Sequence, residues 1–142
     1  MLNHVFVYGT LKRGYNNNRL LEGEVFVSEA STNEKLYVLK DVGVPVATLP
    51  ALVPHLLPLP IKGEVWTLSD KHVLKDLDSL EGYYENLDDE YGGYVRREIN
   101  VKNEKDIIIP CYIYEFHSTY NRENVLSDVV EWDGIKHYEW NR

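Results

Sequence analysis

Apolar residues follow two periods along this chain. VFVY at 5–8 is a short unbroken run of β-forming residues, and EVFVSEA at 24–30 alternates in places, so both are expected as strands. KLYVLK at 35–40 and VPVATL at 44–49 predict two more, with Gly43 at the turn between them. IKGEVWTL at 61–68 predicts a fifth, with Gly63 at a candidate bulge. YVRREINV at 94–101 and IIIPCYIYEF at 107–116, joined by the polar KNEKD, complete the set, and Pro110 marks an edge or a bulge.

The period changes over SDKHVLKDLDSLEGYY at 69–84, where Val73, Leu74, Leu77 and Leu80 form a stripe at helical spacing. Ser69 is the candidate N-cap, Asp70 suits the positive first turn, and Gly82 is placed to end the helix. Asn16 to Asn18 are expected to cap a short turn through Leu20 and Leu21. ENLDDEYGG at 85–93 reads as an acidic loop, and a short helix is expected around 125–130 in the weakly patterned C-terminal stretch. The elements predict an α+β fold, a closed or strongly curved sheet with a helix packed on it. With neither a repeat nor a linker, residues 1–142 are expected to form one domain, large enough to bury roughly 70% of its unfolded surface and enclose a dry pocket.

Charge narrows the partners. Fifteen Lys and Arg stand against 23 acids, a net charge of -8, which argues against nucleic acid and leaves small molecules or proteins. Residues 42–61 carry no charge, but Pro45, Pro50, Pro54, Pro58 and Pro60 would break a lipid-exposed helix, so a proline-shaped loop beside a pocket is expected in place of a membrane span. Cys111 is the only cysteine, which excludes an internal disulfide and fits a reducing cytoplasm. No Lys or Arg precedes the first apolar run, so the N-terminus reads as a strand and not a signal peptide.

Two features carry candidate chemistry. After the first strand, Gly9 and Gly14 have phosphate-loop spacing, but Tyr15 and Asn16 stand where Lys and Ser or Thr would be required. What survives is a glycine turn whose backbone N–H groups can hold an anion. On the residues alone, a plain tight turn with solvated Lys12 and Arg13 is the simpler reading. Glu81 is the second feature. It projects about 20° from Leu74, inside the apolar arc, so its carboxylate faces the core, where burial and the negative helix end raise its pKa. A frayed end turned to water, or an ion pair with Arg96 or Arg97, accounts for the same position equally well. Asp76 and Asp78 fall outside the arc and read as solvated acids.

Other constellations are weaker. His4, His55, His72, His117 and His137 include no H-x-x-x-H pair, and packing or surface roles suit them better than a metal. No serine sits in a G-x-S-x-G elbow. Cys111, in an apolar strand beside Tyr112, reads as an inert buried thiol.

VFVYGTLKRG with its Asn-Arg-Leu turn, GEVW at 63–66 and a helix ending in LDSLEGY together resemble the γ-glutamylcyclotransferase-like family, most closely its γ-glutamylamine cyclotransferase branch. Tyr94 with Arg96 and the tail WDGIKHY are similar to further family segments. The resemblance covers nearly the whole chain. It implies a small mixed β-barrel with flanking helices, and a substrate that is a γ-glutamyl amide or γ-glutamyl amino acid. It also implies that Tyr8, Gly9, Thr10 and Leu11 bind the α-carboxylate, largely through backbone N–H groups, and that Glu81 is the catalytic acid/base. The α-amine would attack the γ-carbonyl to release 5-oxoproline and a free amine, with no metal or organic cofactor. A binding module that keeps the pocket without catalysis is the alternative.

Overall fold

The computed structural model describes residues 2–32, 37–41, 45–50, 56–81, 94–116, 125–126 and 128–141. Gly43, Gly82, His55, His117 and the acidic loop 85–93 lie outside them, so the turn, helix stop, packing roles and loop expected there do too.

Five strands close into a barrel in the order β1-β5-β2-β6-β7. They are β1 (His4–Val7), β2 (Val25–Ser31), β5 (Lys62–Thr67), β6 (Tyr94–Asn103) and β7 (Ile108–Phe116). The barrel is mixed: β1 lies parallel to β7 through Val5 and Tyr112, whereas its other pairings are antiparallel. β3 (Val38–Asp41) pairs β4 (Pro45–Thr48) and a short β8 (Val125–Leu126). β9 (Asp128–Trp132) and β10 (Ile135–Glu139) form a hairpin. All seven strands expected from the pattern are present. The expected helix at 125–130 is absent, because Val129 and Val130 pair across the hairpin with Tyr138 and His137.

The unbroken apolar run of β1 is explained by burial on both faces. Phe6 and Tyr8 pack into one core with Ala30, Tyr37, Val65, Cys111 and Ile113. Val5 and Val7 point the other way and meet Leu74 and Leu77 of helix α1 (Lys71–Glu81), together with Trp66, Tyr112 and Tyr114. Burying each of those two leucines contributes about 1.5–3 kcal/mol. They hold α1 across β1, with its last turn beside the loop that follows β1.

Local details correct three expectations. The N-cap of α1 is Asp70, whose Oδ1 accepts the N–H groups of His72 and Val73 at 2.7 and 3.4 Å. Ser69 is held instead by Glu24, which accepts its N–H and its hydroxyl. The asparagines do not cap the 3₁₀ turn Asn16–Leu21: Tyr15 occupies the N-cap position and makes no side-chain capping bond there. The bulge lies in β2 between Phe26 and Ser28, while Gly63 pairs regularly with Ala30. Gly63 is required for another reason, since a Cβ there would collide with the Val7 carbonyl and come 2.6 Å from the Phe6 ring. Pro110 pairs Asn100 beyond the one register pair joining β7 to β1, so its missing donor falls at a local edge.

Candidate active site

After Val7 the chain turns back on itself. The Gly9 carbonyl accepts the N–H of Lys12 at 3.0 Å, and the Thr10 carbonyl that of Asn17 at 3.0 Å. Asn17 also donates to Thr10 Oγ1 at 2.7 Å, and Asn18 to the Leu11 carbonyl at 2.8 Å. The asparagines therefore brace the loop through its oxygens. Among the described residues no acceptor takes the N–H of Gly9, Thr10 or Leu11. Gly9 must lack a side chain, because a Cβ would run into the Pro45 ring.

Tyr8, Gly9, Thr10 and Leu11 border a cavity of about 200 Å³ together with Glu81. The structure thus brings every sequence-predicted site residue to one hollow. Pro45, Tyr94 and Tyr114 contribute to its walls, and Asn17 and Leu80 border it as well. Tyr8 donates to the Tyr114 carbonyl at 2.6 Å and accepts the N–H of Ala47 at 3.3 Å. Tyr94 donates to the Pro45 carbonyl at 2.9 Å. Burial, and then the negative charge of Glu81, hold Tyr94 well above the ordinary range of a phenol; burial first also raises Tyr8. Both hydroxyls therefore stay neutral and keep their bonds.

Glu81 is half-buried, and burial pushes its carboxyl up to about 7. Such a group gives up and takes back a proton near neutral pH, which an ordinary glutamate does poorly. Arg96 does not neutralise it. That guanidinium donates to Asp78 Oδ2 at 2.6 Å, while Arg97 Nε lies 4.0 Å from the buried Glu115.

Asp78 corrects the expectation of a solvated acid: its second oxygen accepts the Tyr114 hydroxyl at 2.7 Å. Helical spacing sees only the helix, not the β6 and β7 side chains that reach over its flank. Lys12 is corrected as well, whereas Arg13 is exposed as expected. Lys12 is buried and donates to the Trp140 carbonyl at 2.6 Å. Arg13 bonds Glu64 through its backbone N–H and Nε and stacks 3.7 Å from the Phe26 ring centroid. Neither lines the cavity that Glu81 faces. Pro45 belongs to the proline-shaped segment expected beside a pocket, although it opens strand β4, whereas sequence reasoning missed Tyr114 as a wall. For Tyr114 the signal was alternation in β7, which sets it opposite Cys111 and Ile113.

The remaining candidates are structural in character. Burial pushes the Cys111 thiol up to about 12, so it stays protonated. His137 is buried, packs edge-on against Trp132 and is hydrogen-bonded to Ser31 Oγ and the Ile135 carbonyl, each at 2.7 Å. Among the described residues no three His, Cys, Asp or Glu side chains gather as metal ligands, and no helix is long and apolar enough to cross a membrane.

A glycine turn and a buried carboxyl lining one cavity form a layout that related chains can test. The profile of the family described as "Gamma-glutamyl cyclotransferase, AIG2-like" matches residues 5–141. The chain belongs to this family. It is accordingly a cyclotransferase-type enzyme with γ-glutamylcyclotransferase-like activity. A Methanocaldococcus jannaschii protein provisionally named a γ-glutamylcyclotransferase is 26% identical over 114 residues, 80% of this chain and 83% of that one. An Arabidopsis thaliana protein with the same provisional name is 33% identical over 102 residues; the match covers 68% of this chain but half of the longer relative. A solved structure titled "Gamma-glutamyl cyclotransferase" superposes with a TM-score of 0.53 at 21% identity, covering 80% of this chain and 67% of that chain. At that identity the superposition speaks for the fold, and the fold is the mixed barrel with α1 on its flank.

Proposed function

We propose that this family member cleaves γ-glutamyl amides, as a γ-glutamylamine cyclotransferase does, by attack of the substrate's own α-amine on its γ-carbonyl. The observation that carries the reading is a single cavity lined both by Glu81 and by residues 9–11, whose N–H groups have no acceptor among the described residues. The α-carboxylate sits on those N–H groups. The α-ammonium, with a pKa near ~8, is only about one-tenth free amine at pH 7, so a neighbouring base raises the reactive fraction. Glu81 is that base. As the new C–N bond closes the five-membered ring, Glu81 holds the proton removed from the attacking nitrogen. As the amide C–N bond breaks, the same proton passes to the departing amine. The products are 5-oxoproline and a free amine, and no water is consumed.

Anchoring the carboxylate folds the flexible glutamyl chain toward its own carbonyl, and this orientation supplies much of the rate. The test is a panel of γ-glutamyl amides and γ-glutamyl amino acids incubated with the purified protein, with 5-oxoproline detected by mass. At least one member should yield product, and Glu81→Gln should abolish it while retaining affinity. No product from any member would leave the cavity as a binding site alone.

A further inference from the structure

A second cavity, of about 160 Å³, is lined by the two residues that continue the turn after β1, Lys12 and Arg13, with Glu29 of β2, Lys62 and Glu64 of β5, and Glu139 of β10. Among the described residues it shares none with the cavity of Glu81. It opens to solvent at Arg13 and Glu29, whose side chains are about half exposed. Three cations and three carboxylates line it, so it presents no net charge, but their pairing is incomplete. Glu64 is fully engaged: it accepts the backbone N–H and Nε of Arg13 at 3.0 and 3.2 Å and the Trp66 indole N–H at 3.2 Å. Glu139 accepts Lys62 at 3.0 Å and Asn141 at 2.7 Å. One charge of each sign is left over.

The cation is Lys12. It is 6% exposed, donates one of its three N–H groups to the Trp140 carbonyl at 2.6 Å and has the Tyr15 ring centroid 5.2 Å away, yet it forms no ion pair with any described carboxylate. Burying an ammonium costs free energy that a close anion offsets. Burial, opposed by the more distant Glu139 and Glu64, accordingly holds it below the usual lysine range. The anion is Glu29, which reaches only Lys62, at 3.8 Å, while Lys62 sits closer to Glu139. Glu29 also stands directly opposite Glu64 in the β2–β5 register. Facing side chains there have Cβ atoms about 4.5–5.5 Å apart, and like charges so placed repel. The acidic side of the cavity lacks a cation, and Lys12 lacks an anion.

We propose that this second cavity binds a small zwitterion, an α-amino acid whose carboxylate sits on Lys12 and whose ammonium sits on Glu29. A ligand of one sign would be attracted at one pole and repelled at the other; a zwitterion satisfies both. At about 30 Å³ per water the volume is that of roughly five waters, which suits a short side chain such as that of glycine or alanine. The Lys12 backbone N–H donates to the Gly9 carbonyl at 3.0 Å, so one residue joins this cavity to the turn that borders the other. The inference does not depend on the reaction assigned to Glu81.

The test follows the backbone amides of the whole chain by NMR at pH 7 as L-alanine is added, with acetate and ethylamine as probes of one charge each at matched ionic strength. Alanine should shift the amides of Lys62, Glu139 and Asn141 saturably, and the single-charge probes should bind there roughly tenfold more weakly, each lacking one charged contact. Glu29→Gln and Lys12→Met should each weaken alanine by about tenfold for the same reason. A merely structural Lys12 would alter the melting temperature without any alanine-dependent shift at these amides. No saturable shift, acetate as tight as alanine, or affinity unchanged in Glu29→Gln would overturn the proposal. So would shifts confined to Thr10 and Tyr94 and lost in Glu81→Gln, which would place alanine in the other cavity. If Lys12→Met does not fold, Glu29→Gln, at a half-exposed position, decides by the same rule. Because the titration needs no turnover, a protein that releases no 5-oxoproline refutes the reaction assignment alone.

Discussion

Replacing Glu81 by Gln should make the protein more stable at alkaline pH while removing its turnover. In the folded chain, burial raises this carboxyl from its ordinary 4.5 to about 7. Below about pH 4.5 the group is protonated whether the chain is folded or not, and its burial carries no ionic cost. Between there and pH 7 the unfolded chain ionises while the folded one retains its proton, so stability falls as pH rises. Above 7 the folded protein bears the full penalty. A difference of roughly 2.5 pH units, at about 1.36 kcal/mol each, amounts to about 3 kcal/mol. The amide escapes this penalty, so the stability gain of Glu81→Gln should be near zero at pH 4 and grow to that size by pH 8. At roughly 3 °C per kcal/mol for a chain of this length, the melting temperature should rise by about 9 °C. Thermal denaturation of both proteins across pH 4 to 8.5, followed by circular dichroism, provides the measurement. Every other titrating group is common to the pair and cancels in the difference. A difference that stays flat with pH, or a variant that loses stability as pH rises, would refute the reasoning. The same variant should lose ~10²–10⁴-fold in turnover if Glu81 moves the proton.

Gly9→Ala should impair turnover and raise KM, because its new methyl must displace Pro45 at the cavity wall; steady-state kinetics with an active γ-glutamyl amide reads this, and unaltered kinetics would show that the loop tolerates a side chain. Tyr8→Phe leaves the Tyr114 carbonyl without its donor and the Ala47 N–H without its acceptor, which should cost about 1–3 kcal/mol in urea unfolding. Leu77→Ala, at a fully buried position beneath α1, should cost about 2–5 kcal/mol and loosen the helix that carries Glu81. Cys111 should resist thiol reagents in the native protein at pH 8 and react once denaturant is added; rapid native labelling would contradict its burial.

Much of the fold was legible because hydrophobic period is a local signal. The doubly buried β1 showed as an unbroken run, and α1 as a stripe in which a single acid, Glu81, shared the arc of Leu74. The β9–β10 hairpin was not legible: Val129 and Ile135 are about half exposed, so the burial alternation that marks a strand is weak there. At the site, residues 8–11 and Glu81 were singled out by a glycine turn, an acid in an apolar arc and a family resemblance.

The amino-acid order by itself determined seven of the strands, the helix α1, and which face of that helix bears a carboxylate. Those properties depend on side chains a few positions apart. Only the tertiary structure decided what each charge meets: Asp78 finds Tyr114, 36 residues away, and Lys12 finds Trp140, 128 residues away. A local pattern records how apolar a surface is, but the partner of a polar group is set by which distant element packs over it, and closure of the barrel makes that choice.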